Sequence, residues 1–437
     1  MQHEKHISIV IPTHNRIKSL ELLLNGLGTQ AYPMPLMEVI VVADGCRNDT
    51  IEMLRHYEAP YAFRYIAQDS QGPSVARNRG AAIATGELLL FLDDDIEPSA
   101  GLVAAHVRGH HAPNSVVIGY LPYHSPVFKG LYIARLRAWW ENMFHSMRLN
   151  GYRFTYEDLL SGNFSLPAPL FKELNGFNET LRCREDYELG ARLINAGASF
   201  IYSSEAWGNH KDEATDFNRS LQRKRQEGNA DVQLARLHPY LINTLRLGAF
   251  ERPYSKSKAA LLFLVYRMPA VGYILALLFH KWLGVLEWFR FRHQWQRIAG
   301  QLQHYWYMKG VAAQLPTLAE LHRFLQQPRA ASPAYTIDID IKNGLTPAEE
   351  LLDLVRPAGA RIMYGNQFVG YIPSKSGAER LRGPHLRTEL ATRLASALSK
   401  AMTLEKITAV GCAPAPSAAQ PTAEAEPKLL NNIAYGH

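Results

Sequence analysis

The chain has 437 residues, 47% hydrophobic and 20% charged, which describes a folded protein with room for two or three sizeable cores and excludes a disordered chain. A formal charge of +7 and a pI near 9.1 favour phosphorylated substrates or an anionic membrane surface, and the lack of a Lys/Arg stripe interleaved with aromatics argues against nucleic acid. Three scattered cysteines, Cys46, Cys183 and Cys412, give no disulfide framework and no zinc spacing, as expected in a reducing compartment.

The start, Met1 to Lys5, is polar and lacks the form of a signal peptide, so a cytoplasmic catalytic part is expected. His6 to Ile11 reads as a strand ending at Pro12, and Ile17 to Leu27 has helical apolar spacing. Met37 to Ala43 is a second strand ending at Asp44-Gly45, with Asp49 able to cap the next helix. Phe63 to Ile66 is a short third strand, and Pro73 to Ala84 a helix begun by proline. Leu88 to Leu92 is an apolar run that passes directly into Asp93-Asp94-Asp95. Strands separated by helices imply βαβ units and a mostly parallel sheet.

The acid run carries the chemistry. A carboxylate cluster at a strand's carboxyl end sits where open α/β sheets bind ligands. Three adjacent acids repel one another unless a cation neutralises them, and hard cations such as Mg²⁺ or Mn²⁺ accept oxygen ligands together with substrate phosphates. Upstream, Pro12, Thr13, Asn15 and Arg16 follow the first strand and can hold a base or ribose. Asp44 can accept hydrogen bonds from a nucleoside, while Arg77 and Arg79 lie on an early helical turn as partners for a diphosphate.

Taken in order, Pro12-Thr13-His14-Asn15-Arg16, Val41-Val42-Ala43-Asp44-Gly45, Ala76-Arg77-Asn78-Arg79-Gly80 and Phe91-Leu92-Asp93-Asp94-Asp95 resemble the successive signatures of family 2 glycosyltransferases. Gly162 to Leu166, Phe171 to Glu179 and Arg184 to Leu193 extend the resemblance, which covers about residues 6 to 245. It implies a GT-A fold (Rossmann-like, α/β, mostly parallel), a nucleotide diphosphate sugar donor and inverting transfer. Asp44 would then contact the nucleoside, and Asp93 and Asp95 the ribose and a Mg²⁺ or Mn²⁺ ion, with Asp95 in direct metal contact and Asp94 an alternative. Asp186 would be the general base and Glu185 would orient the acceptor. His210 stands at the distance beyond the base where some relatives place a metal-binding histidine. Within the family UDP is the default base, with GDP and dTDP open.

Tyr132 to Phe144 is an aromatic helix whose rings can stack on an acceptor sugar, rest at a membrane interface or face the core. Arg223, Lys224 and Arg225 read as a solvated helix face or as part of a segment closing over the diphosphate. Ala259 to Phe279 is long and apolar enough to cross a bilayer, but Arg267 and Pro269 sit near its middle. A central Arg costs about 2.5–3.5 kcal/mol on insertion scales, so two short interfacial helices joined near Met268-Pro269 fit better, with a buried helical pair as the alternative. Such a section would bring the site to a lipid-linked or glycan acceptor at the inner face of the cell membrane.

The remaining boundaries follow from composition: a catalytic domain over 1–250, a helical section over 251–326, a linker over 327–334, a small α+β domain over 335–405 and a disordered Ala/Pro-rich tail over 406–437. In the small domain Tyr335 to Ile341 is a strand, Thr346 to Glu349 opens a helix with a capping box, Arg361–Tyr364 and Gln367–Ile372 form a hairpin, and Pro384 to Met402 a final helix. It shows no catalytic constellation, and its protein partner is unassigned. The rival readings are a catalytically silent sugar-nucleotide-binding or membrane scaffold and a nucleotidyltransferase. The retained acids oppose the first, and the absence of a Gly-rich basic loop after the first strand opposes the second.

Overall fold

The computed structural model describes residues 4–122, 130–211, 216–251, 255–327 and 335–411. The expected linker (from 328) and tail (from 412, with Cys412) lie outside the described residues. Through the first part the chain runs β1 (Ile7–Thr13), α1 (Ile17–Leu27), β2 (Met37–Asp44), α2 (Asn48–His56), β3 (Ala62–Gln68), α3 (Pro73–Ile83), β4 (Leu88–Leu92) and β5 (Ile96–Pro98). It continues through α4 (Leu102–Gly109), β6 (Ser115–Tyr120), α5 (Leu131–Met147), β7 (Asn163–Pro167), α6 (Ala168–Glu173), α7 (Glu185–Asn195), β8 (Ser199–His210) and α8 (Phe217–Leu237).

These strands form one sheet in the order β3-β2-β1-β4-β7-β6-β8-β5. The β3-β2-β1-β4 half is parallel, as the apolar strands predict. β2 and β4 are buried along their whole length because helices cover both faces. The other half is mixed: β7 runs antiparallel to β4 and β6, and β5 antiparallel to β8. The polar positions of β7 hide it from a purely apolar pattern. Asn163 and Ser165 are buried and bonded to His106 (2.8 and 2.9 Å), and Ser165 also to His110 (2.7 Å). Burial pushes the two imidazoles down to about 4 and about 3, so both stay neutral. Register does the positioning: Ile7 faces both Met37 and Leu88, so the strand ends bearing Thr13, Asp44 and Asp93 to Asp95 finish together. Beneath the acid run, Phe91 packs on Phe164, Phe171 and Phe177 with ring centroids 5.1–5.3 Å apart.

Three helices follow where two were expected, α9 (Lys256–Tyr266), α10 (Pro269–Trp288) and α11 (Arg292–Gln314), then α12 (Leu318–Leu325). The break falls at Met268-Pro269, since proline suits a helix's first turn and not its interior. Trp295 belongs to α11 and is buried. α11 lies along α8, and the helices approach through glycines: a Cβ on Gly228 would fall 2.0 Å from the Tyr307 carbonyl oxygen, and one on Gly310 1.9 Å from that of Arg225. Tyr307 Oη donates to Asp231 Oδ2 at 2.7 Å across this seam.

The C-terminal unit comprises β9 (Thr336–Asp340), α13 (Leu345–Val355), β10 (Gly359–Tyr364), β11 (Gln367–Ile372), α14 (Gly383–Ala391) and α15 (Ala395–Gly411). The hairpin turns at Gly365, whose φ of 58° glycine adopts without a side-chain clash. α13 starts one residue earlier than expected, at Leu345, with Gly344 as its cap, so Thr346 lies inside the helix. The single helix expected over 384–402 is two, and the second runs on to Gly411, past the start assigned to the tail. The unit has its own core but is tied to the catalytic half. Glu379 N–H donates to the Phe154 carbonyl (2.8 Å), Tyr156 N–H to that of Gly377 (2.9 Å), and Arg153 to the carbonyls of Glu379, Pro373 and Ala358 (2.8–3.0 Å).

Candidate active site

The sheet's carboxyl edge gathers most of the sequence-predicted residues. Pro12 and Thr13 end β1, and Thr13 Oγ1 donates to Asp94 Oδ2 at 2.7 Å. Asn15 takes a left-handed φ of 56°, and its Oδ1 accepts from the Arg47 N–H at 2.7 Å. Asp44, at the end of β2, uses Oδ1 to accept from Gln68 Nε2 and the Gln71 N–H, and Oδ2 from the Gly72 N–H (2.7–2.8 Å). Burial opposes its charge, yet these donors hold it below the usual carboxylate range. Asp44 thus shapes the Gln68–Gly72 loop, a role that β2's sequence does not announce.

The three acids turn three ways. Asp93 accepts from Arg77 Nη2 at 2.7 Å. Asp94 and Asp95 share Arg16, whose Nη1 lies 3.0 Å from Asp94 Oδ1 and 2.5 Å from Asp95 Oδ2. Burial, reinforced by its neighbouring acids, raises the Asp94 carboxyl to about 6 despite Arg16 and Thr13. Burial presses Asp95 the same way, but His210 and Arg16 prevail and keep it low. Asp95 Oδ1 is buried without a hydrogen bond and lies 3.3 Å from His210 Nε2. Among the described residues no three His, Cys, Asp or Glu side chains converge on one point, so the expected set of Asp93, Asp95 and His210 is split, with Asp93 turned to Arg77. Asp95 and His210 remain a matched oxygen and nitrogen pair, and a Mg²⁺ or Mn²⁺ ion that takes most of its ligands from phosphate and water fits such a pair.

Arg77 does not face solvent as a diphosphate partner. Its side chain is 4% exposed, and Nη1 lies 3.3 Å from Glu185 Oε1 while Nη2 holds Asp93. It faces the acids because α3 packs that side of its helix on the sheet; Arg79 is the exposed one.

The second acid pair opens α7. Arg184, just before it, takes φ 67° and is held by Glu227 and Asp231 (3.2 Å each) and by the Tyr187 ring at 4.2 Å. That clamp fixes where Glu185 and Asp186 emerge. Asp186 Oδ1 accepts from the Tyr187 N–H at 2.8 Å, and burial beside Glu185 raises its carboxyl to about 6. Arg223 and Lys224 lie on α8, with Lys224 bonded to Glu227 at 2.6 Å, which makes them part of a helix face.

Beside Asp95 an open cleft of ≈ 370 Å³ is lined by residues including Asn15, Arg16, Arg47, Asp49, Thr50 and Lys211. The sequence gives neither Arg47 nor Lys211 a site role, although Lys211 directly follows His210. Trp140, on the aromatic helix, stacks its ring on that of His210 with the centroids 5.9 Å apart.

Residues 8–174 match the pattern described as glycosyl transferase family 2. This part of the chain is a family 2 glycosyltransferase domain. Residues 141–212 also match the "N-terminal domain of galactosyltransferase" pattern, so the Asp93–Asp95 run, the Glu185-Asp186 pair and His210 all fall within matched segments. A validoxylamine A glucosyltransferase of Streptomyces hygroscopicus is 33% identical over 236 residues, 47% of this chain and 55% of its own. A pre-mycofactocin glycosyltransferase of Mycobacterium tuberculosis is 29% identical over 253 residues, 54% of this chain and 48% of its own. The chain thus spans about half the length of these curated relatives. A mannosyltransferase of Pyrobaculum calidifontis, solved with GDP-Man and Mn²⁺, is similar over 71% of this chain and 88% of its own, at 18% identity and a TM-score of 0.48.

Proposed function

We propose that the chain transfers a glycosyl group, with inversion, from a nucleotide diphosphate sugar to a hydroxyl of a glycan or lipid-linked acceptor. The observation that carries this reading is Arg77, one guanidinium shared by Asp93 of the donor-side acids and Glu185 of the base pair. Both halves of an in-line displacement thereby fall within one side chain's reach of each other.

Thr13, Asn15, Asp44 and the cleft beside Arg16 receive the nucleoside end of the donor. Asp95 and His210 would hold a divalent ion, which supplies Lewis-acid stabilisation of charge on the departing diphosphate. Asp186 accepts the acceptor hydroxyl's proton as its oxygen bonds to the anomeric carbon, and the C–O bond electrons leave with the nucleoside diphosphate. A carboxyl raised to about 6 remains ionised near neutrality and is a stronger base than an ordinary aspartate.

The test is a thermal-shift titration with UDP, GDP and dTDP, each with and without Mn²⁺, UDP first. Metal-dependent stabilisation by one nucleotide, lost in Asp95→Ala, is the expected result. Binding without turnover of the matching sugar nucleotide across a panel of acceptors would point to the silent binding protein instead. Stabilisation by no nucleotide would refute the reading.

A further inference from the structure

We propose that the outer face of α9 and α10 docks along the surface of a bilayer bearing anionic headgroups, without crossing it. α10 is apolar nearly all round, yet only Gly272, Ala276, Leu283 and Leu286 are buried, the stripe turned to α11. On the opposite side Val271, Ile274, Leu278, Trp282, Val285 and Phe289 follow one another at intervals of three and four residues, each 39–62% exposed. Such a row forms a continuous apolar surface, unlike the scattered apolar side chains of an ordinary exterior.

Charge selects the occupant. From Lys256 to Arg292 the chain carries Lys256, Lys258, Arg267, Lys281, Arg290 and Arg292 against one acid, Glu287. That acid is engaged by the Leu131 N–H at 2.8 Å. A segment so rich in cations, whose apolar stripe holds Trp282 and is flanked by Trp288 and Tyr273, matches an anionic lipid interface; Lys258 alone is turned inward, to the Ala249 carbonyl at 3.2 Å. A second copy of the chain would set like charges against like across a twofold contact.

The packing of α10 opposes a span. Its inner stripe rests on α11, which presents Arg292, His293, Gln294 and Arg297 to solvent and itself lies along α8. Drawing α10 through hydrocarbon would take those side chains with it. The docked face also reaches the cleft through one helix: α5 starts at the Glu287 contact and carries Trp140 to the His210 ring.

The test is flotation of the full chain with vesicles of phosphatidylcholine, with and without phosphatidylglycerol. The expected result is co-flotation with the anionic vesicles, weakened by salt. Leu278→Glu with Trp282→Glu, both exposed in the fold, should weaken binding at least about tenfold. Lys281→Glu with Arg290→Glu should abolish the preference for anionic over neutral vesicles. Nucleotide-dependent thermal shifts should be unchanged in both variants, which separates this surface from the transfer reaction. Failure of the wild type to float with anionic vesicles overturns the proposal. So does retention after alkaline carbonate extraction, the mark of a span, or a solution dimer that the Leu278/Trp282 variant dissolves.

Discussion

Among single residues, Asp186 and Arg77 carry the sharpest consequences. Asp186→Asn keeps the size and the Tyr187 N–H bond but removes the proton acceptor. Its kcat should fall by about 10²–10⁴ while the nucleotide-dependent thermal shift persists. Burial and Glu185 raise the Asp186 carboxyl to about 6, so the ionised, active form is lost as pH falls through that value. The kcat/KM profile should therefore be flat near pH 7 and drop about tenfold per unit below about pH 6; a limb at ordinary aspartate values would contradict the assignment. Arg77→Met leaves Asp93 and Glu185 facing each other without a cation. A loss on the order of 3 kcal/mol is expected in urea unfolding, because removing one partner strands buried charge. Arg77→Lys should recover part of that stability but little activity, since a single ammonium cannot span both acids as the fork does.

At the level of elements, the α8–α11 seam depends on two residues that helix propensity would disfavour. Gly228→Val should force the helices apart, lowering stability by about 1–3 kcal/mol through overpacking, which differential scanning calorimetry would register. Nothing in the local sequence signals this, because a helical glycine reveals its purpose only when the partner helix is known. The same limit explains the rest of what the chain concealed. Strands whose apolar runs stop at Thr13, Asp44 and Asp93 mark the sheet's functional edge, and they were legible because burial on both faces leaves no polar alternation to confuse them. β7 was hidden because Asn163 and Ser165 look like loop residues until His106 supplies their partners. The motifs named the acids, but the partner of each acid lies elsewhere in the chain, as with Arg77 and Glu185, 108 residues apart. The break at Pro269 could be read locally; which stripe of the helix after it would turn to α11 could not.

For the whole molecule, the C-terminal unit is more than a tethered accessory. Its Gly377–Glu379 segment is hydrogen-bonded to Phe154 and Tyr156, and Tyr156 packs edge-on against Tyr187 in the first turn of α7, at 5.7 Å. Ending the chain before residue 335 should therefore lower the melting temperature by several degrees and reduce kcat more than donor affinity, measured by calorimetric titration. An unaltered kcat would show the contact to be passive. With no side chain at the closest approach, α8 and α11 have no cushion to slide on, and Asp231 on α8 holds both Tyr307 and the arginine that precedes Asp186. The helical layer and the cleft are therefore one rigid piece. On a bilayer that piece would work as a gauge block: the altitude of the reacting carbon above the headgroups would be set by the thickness of protein between them, so acceptors would be sorted by their length as well as their chemistry.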